Sequence, residues 1–402
     1  MIFAASAAVL AAILVSLDRA KILEKAGRAP ALLMIAGMGA ALLYRSTGGP
    51  AAPAEFVAAG ADALLAALGF AAAAQFRVSR LATICPASFR LTIGGAPLFL
   101  IVCGLAAFIL APNLTLGSAF LLAGALTLNG AAFDRRAVAD APAPAVIKAA
   151  VRLESAAILA LGLPIAIFLE AAATVAPDTM PAATPIFEAS FSALGAFALG
   201  GLAGLTAAIA GNLAKNKRRR ATYAIAAAVV AALLAAPFGA HPVFAATAAG
   251  LLWGEETASP VTTRVRLRRQ IDQLVLPAAF FAFGALLGPQ VLQADMLSVV
   301  FAIAAITVLR AGPRLASLGS LSLAKESQLF LAWFGGAPGA ASALFLISLF
   351  DAPSIVALDA VLTVGALTIM MSIFAARITS RPLISVLLKE TAVARKRALY
   401  VG

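Results

Sequence analysis

The sequence predicts an all-α polytopic membrane protein of about thirteen transmembrane helices, arranged as inverted repeats with two broken crossing helices. Three observations lead there. Only 12% of the 402 residues are charged and 62% are hydrophobic, with a mean hydropathy of +1.00, whereas soluble domains carry about 25% charged residues. Apolar runs follow one another along the whole chain at close to bilayer length, a span needing about 20 residues, range about 17–25. Lys and Arg gather in alternate connections between those runs, the pattern of cytoplasmic loops.

Polar and Pro/Gly punctuation cuts the chain into candidate spans at 2–17, 30–44, 56–76, 91–111, 115–132, 143–169, 188–213, 221–238, 241–254, 271–288, 296–312, 327–350 and 355–377. The first is apolar from Met1 with no basic leader, so it reads as a short span rather than a signal peptide. Connections 18–29, 77–90, 133–142, 214–220 and 255–270 are rich in Lys and Arg, as is the tail 378–402; 45–55, 112–114, 170–187, 239–240, 289–295 and 351–354 hold almost none. Thirteen spans put every basic loop on one side. The expected protein is therefore integral to the plasma (inner) membrane, with its N-terminus outside and its C-terminus cytoplasmic.

The net charge of +12 resides in those loops, which argues against a nucleic-acid partner. The run Lys215–Arg220 reads as a topology anchor, with anionic membrane lipid as its functional partner. Cys85 and Cys103 have neither metal spacing nor a disulfide pattern. No nucleophile, base and orienting group cluster locally, so no enzyme, metal site or cofactor is expected.

Two spans are interrupted. One carries Asn129 and Gly130, and the other carries Gly335, Gly336, Pro338 and Gly339 within Leu331–Ser342. Pro removes a backbone donor and clashes with the preceding turn. Broken backbone at membrane depth survives only where protein or a water cavity satisfies it. Broken helices at corresponding places of two halves point to a carrier's binding region; close helix packing is the bland alternative. The fifth span is interrupted and followed by one carrying Glu154, while the twelfth is interrupted and preceded by one carrying Arg310. A carboxylate in such a segment costs roughly 2.5–3.5 kcal/mol unless paired or hydrated, so Glu154 and Arg310 are expected to meet inside the bundle. Asp134 reads as a loop residue or a displaced ion ligand, Asp62 and Asp359 as interfacial acids, and His241 as a cap just after Gly239.

These stretches resemble the sodium/proton exchanger family, the monovalent cation:proton antiporters. Gly239–Gly254, ending Ala-Gly-Leu-Leu-Trp-Gly, is similar to the family's Ala-Gly-Leu-Leu-Leu-Gly segment. Leu276–Gly284 resembles its Pro-x-x-Phe-Phe-x-x-x-Gly helix, Phe330–Ser342 its Trp-Phe-Gly-Pro-Arg-Gly stretch without the Arg, and Thr363–Thr368 its last helix. The likeness covers roughly 60–385. Two departures stand out. Asn129-Gly130-Ala131 replaces Thr-Asp-Pro, and Glu154-Ser155-Ala-Ala-Ile158-Leu159 replaces Glu-Ser-x-x-Asn-Asp, whose Asn–Asp pair binds cation and protons. The resemblance implies that Glu154 and Arg310 keep the family's supporting pair. The alternative makes Glu154 the exchanging group, with Asn129, Ser155 and broken-helix carbonyls as neutral ligands.

It further implies a homodimer with a scaffold of 1–90 and 188–288 and a mobile core of 91–169 and 296–377, working by alternating access. The expected activity is exchange of a monovalent cation (Na or K) for protons at an atypical site. Two alternatives stay open: a carrier of an anionic or organic solute on the same fold, and a transport-inactive homologue serving as sensor or partner subunit.

Overall fold

The computed structural model describes residues 30–47, 53–75, 85–111, 113–128, 144–174, 183–214, 217–258, 261–321, 323–352 and 354–387, together with 77, 79 and 83. The expected span 2–17, Asn129, Gly130 and Asp134 lie outside them. The described residues form helices and turns, and seven helices are long and apolar enough to cross a membrane, with four shorter apolar ones beside them.

The first half runs α1 (Pro30–Ser46), α2 (Ala54–Ala73), α3 (Pro86–Arg90), a π-turn at Leu91–Gly95 leading directly into α4 (Ala96–Leu110), α5 (Leu116–Thr127) and α6 (Ala145–Ala173). Then come α7 (Ala183–Leu213) and α8 (Lys217–Ala235). The second half runs α9 (Pro242–Glu256), α10 (Val261–Val291), α11 (Met296–Ile306), α12 (Val308–Leu318), α13 (Lys325–Phe334), α14 (Ala340–Ser348) with a 3-10 turn at Leu349–Asp351, and α15 (Leu358–Leu387).

The halves correspond in space. First-half α1 packs on second-half α10, and second-half α9 packs on first-half α2. Each contact is made close by glycine: a Cβ on Gly37 of α1 would strike the Phe281 carbonyl, and one on Gly284 of α10 the Met34 carbonyl. Likewise a Cβ on Gly250 of α9 would strike the Phe70 carbonyl, and one on Gly69 of α2 the Thr247 hydroxyl. Helices without lipid-driven attraction gain by such backbone approach. Both halves also carry an irregular third described span, the π-turn in one and the break at Thr307 (φ −112°, ψ −94°) between α11 and α12 in the other. Capping follows suit: Thr115 Oγ1 accepts from Ser118 N at the start of α5, and Asp295 Oδ1 accepts from Ser298 N at the start of α11.

Three boundaries differ from the sequence reading. α10 begins at Val261 rather than 271, so part of the expected basic loop is helix. Two of its guanidiniums, those of Arg264 and Arg268, are buried because they serve other helices. Arg264 Nη1 donates to the Gly254 carbonyl at 3.2 Å and Arg268 Nη1 to the Leu68 carbonyl at 3.0 Å, while Arg268 Nε lies 2.7 Å from Asp272 Oδ1. Carbonyls near a helix C-terminus favour such cations. α12 continues to Leu318, past the expected end at 312, and α15 to Leu387.

The bundle has unlike ends. At one, Arg77 Nη2 donates to the Thr257 carbonyl at 3.1 Å, Ser79 donates to Glu255, and Asn212 Nδ2 donates to the Glu256 carbonyl at 3.1 Å. Described residues of the basic connections 77–90 and 255–270 meet there. At the other end lie the starts of α2 and α9 and the ends of α6 and α14.

Candidate functional site

α6 begins after Pro144 and carries Glu154 about 14 Å from its start at 1.5 Å per residue. The surrounding Ala and Leu residues favour helix, and Ala150, Val151, Ala157 and Ile158 give Glu154 no polar neighbour on its own strip. The carboxylate is completely buried, and Ser155 beside it is 2% exposed. Its partner comes from α12. Arg314 Nη1 lies 2.5 Å from Oε1, and Nη2 donates to Oε2 at 2.7 Å, a two-pronged contact between buried groups. The planar guanidinium matches a carboxylate in this way and a lysine does not.

This corrects the expected pairing. The group gripping Glu154 is Arg314, one helical turn beyond Arg310. Arg310 is buried in the same region but holds the break: its Nη2 donates to the Trp333 carbonyl at 3.0 Å and its guanidinium lies over the Trp333 ring, 5.4 Å from the centroid. Trp333 Nε1 in turn donates to Thr379 Oγ1 on α15 at 3.2 Å. Arg314 Nη2 also donates to the Leu331 carbonyl at 2.9 Å. Two guanidiniums thus meet the carbonyl end of the half-helix α13, where the backbone presents partial negative charge.

The interruption itself is confirmed. α13 stops at Phe334, Gly335 is extended, Gly336 has φ +66°, and α14 resumes at Ala340. Any side chain at Gly335 would occupy the place of Arg314 Nη2 and crowd Glu154 Oε2, and one at Gly336 would occupy that of Arg314 Nη1. The left-handed backbone at Gly336 adds a second reason for glycine. The ion pair therefore sits against bare backbone. The other interruption comes into contact here too: after α5 ends, Leu128 is extended and its carbonyl accepts from Ser342 Oγ on α14.

Ser155 Oγ has no hydrogen-bond partner among the described residues. Ile158 and Leu159, 3% and 0% exposed, face protein rather than solvent. His241 precedes α9 as expected, but its side chain makes no capping bond. Cys85 and Cys103 are free and buried. Among the described residues no three of His, Cys, Asp and Glu stand at metal-ligand spacing. Arg314 is the residue sequence reasoning missed: Gly312-Pro313 reads as the end of a span, yet α12 runs through it. The four-residue spacing from Arg310, which places both on one helix face, was the available signal.

A bundle of apolar helices, seven of them long enough to cross a membrane, with a buried ion pair seated on an interrupted helix, defines a polytopic membrane protein. The family model described as "Sodium/hydrogen exchanger, transmembrane" matches residues 6–386, and the chain belongs to that family, one of transporters rather than enzymes. Among solved structures, it is similar to the sodium proton antiporter MjNhaP1 from Methanocaldococcus jannaschii at pH 8, with a TM-score of 0.72, 17% identity, and coverage of 96% of this chain and 100% of that one. A three-dimensional electron-microscopy structure of MjNhaP1 gives a TM-score of 0.59 at 16% identity, covering 96% and 97%. At these identities the likeness is one of fold. Comparison with curated proteins gives no match.

Proposed function

We propose that the protein exchanges a monovalent cation, Na or K, for protons by alternating access, with an ion site unlike the one the resemblance leads one to expect. The observation that carries this reading is the Glu154–Arg314 pair seated on the Gly335–Gly336 interruption, within a chain of the sodium/hydrogen exchanger family. Both carboxylate oxygens are engaged by one guanidinium, so binding a proton or cation there means breaking the pair. Glu154 accordingly supports the broken helices, and Ser155, Asn129 and Asp134 remain candidate oxygen ligands, a chemistry that hard cations accept. In this reading 91–169 and 296–377 rock against 1–90 and 188–288 in a homodimer, in the plasma membrane with the basic loops cytoplasmic.

The test is flux. Purified protein in proteoliposomes with an internal pH dye should dissipate a preformed acid gradient when Na or K is added outside, and not when choline replaces them. Absence of a response to both cations sinks the proposal. One observation favours a second reading, a carrier of an anionic or organic solute: the buried side chains of Ile158 and Leu159 are aliphatic. Cation-silent liposomes that accumulate an anion would establish it.

A further inference from the structure

Along its length α6 passes from a closed interface to an open one. Ala156, Ala157 and Ala160 form one cluster with Ala73, the last residue of α2, and Leu251 of α9 packs against it. The four alanines are 0–2% exposed. α6 starts and α2 ends on the side of the basic connections, so this seam lies on that side of the next contact, Leu163 on Gly69, where a Cβ would come 3.0 Å from the Leu163 Cδ1. From Pro164 onward the same helix lines a cavity. Pro164, Phe168, Ala171 and Thr174 bound a space of about 340 Å³ whose opposite wall includes Phe244 of α9. A second space, of about 290 Å³, lies between Ala58 of α2 and Ser348 of α14. The change falls at a proline. Pro164 has no N–H to give the Ala160 carbonyl, so α6 can bend there without breaking a backbone bond.

We infer that the protein stands in a state open at the end away from the basic connections, and that the seam of Ala73, Ala156, Ala157 and Ala160 is the gate that closes the other way. α2 and α9 belong to the expected scaffold, α6 and α14 to the expected mobile part. Seam and cavities are therefore two ends of one boundary, shut at one and parted at the other. Alanine suits a gate. Its methyl group has no rotamers to rearrange and does not key into the facing helix, so such surfaces can slide or part by the small shear that packed helices allow. Contacts inside the scaffold are of the opposite kind. Gly37 and Gly284 each seat a facing carbonyl where a Cβ would collide, a close fit that any slide would lose. Ala157 lies three residues from Glu154, about 4.5 Å along the axis, so parting the seam would bring solvent within one turn of the ion pair. The inference deepens the exchanger reading, and the role of the gate in transport rests on that reading. The open state itself rests only on the seam and the cavities.

Thiol chemistry tests the state and the gate separately. The background is Cys85→Ser with Cys103→Ala; should it misfold, the native cysteines are kept, since both are buried. A single symmetric gel-filtration peak confirms folding of each variant. In nanodiscs, where both faces meet the reagent, Ala171→Cys should react with a charged methanethiosulfonate at least tenfold faster than Ala157→Cys. Equal rates, or the reverse order, overturn the open state. Ala73→Cys is then combined in turn with Ala156→Cys, Ala157→Cys and Ala160→Cys and oxidised with copper phenanthroline. At least one pair should crosslink, scored by loss of maleimide labelling after denaturation. In proteoliposomes the crosslinked protein should lose at least nine-tenths of its Na- or K-driven proton flux and regain it with reductant. No crosslink in any pair overturns the seam, and a crosslinked protein that exchanges as fast as the reduced one overturns the gate. The exchanger reading fails separately. A wild type that moves neither Na nor K sinks that reading, while the labelling order and the crosslinks still decide the state and the seam.

Discussion

The protein holds acidic side chains in two opposite ways. At the broken helices Glu154 is sealed from solvent, and each oxygen has its own guanidinium nitrogen. At the far end Asp62, Glu170 and Asp351 line an open cavity that has no Lys or Arg among its described lining residues. A matched pair in a dry interior is hard to disturb without loss of structure, because removing one partner strands the other charge. Unmatched carboxylates near water are cheap to keep and free to take a visiting charge. The contrast separates an acid that is locked into the fold from acids that line open space.

The largest effect should come from breaking the sealed pair. Arg314→Ala should cost about 3–5 kcal/mol, the usual penalty for an orphaned buried charge, read as a fall in melting temperature or a loss of folded protein. The double variant Glu154→Gln, Arg314→Gln should recover most of that loss; recovery of stability and of flux together would show the pair to be structural. Stability recovered with flux abolished would instead make Glu154 part of the exchange step. Next is Gly336→Ala. It adds a strained backbone, about 1–3 kcal/mol, to a side chain that collides with Arg314, so it should lower both melting temperature and exchange. A neutral result would mean that the interruption does not seat the pair. Arg310→Lys should be milder, at about 1–2 kcal/mol, from losing the planar stack on Trp333 and its carbonyl bond. Asp62→Asn should have the smallest effect on stability, within about 0.5 kcal/mol, as expected away from paired or packed groups. A large loss there would erase the contrast between the two acidic regions.

Much of this arrangement is legible in the sequence. The charge deficit and alternating loops give the helices, and the Gly335-Gly336-Ala-Pro338-Gly339 run gives the second break, because glycine and proline act locally. The charges were harder to place. Glu154 stands out as a lone acid in an apolar run, but its partner does not, since Pro313 looks like a terminator and hides Arg314. Arg264 and Arg268 read as loop residues for a related reason: their burial depends on carbonyls of α9 and α2 that no local pattern announces. The two cavities at the far end are wholly a product of folding, lined from positions 62, 170 and 351 in one and 170, 241 and 351 in the other. Any one of those residues alone reads as an ordinary interfacial side chain.

The reciprocal glycine contacts have a consequence for biosynthesis. Gly37 is emptied into the membrane long before its mate Gly284 exists, and Gly69 long before Gly250. At typical translation rates the first of these waits lasts about 12–50 s. Until then the leading half presents small-residue grooves to lipid, and its final assembly is timed by the ribosome's arrival at the trailing half.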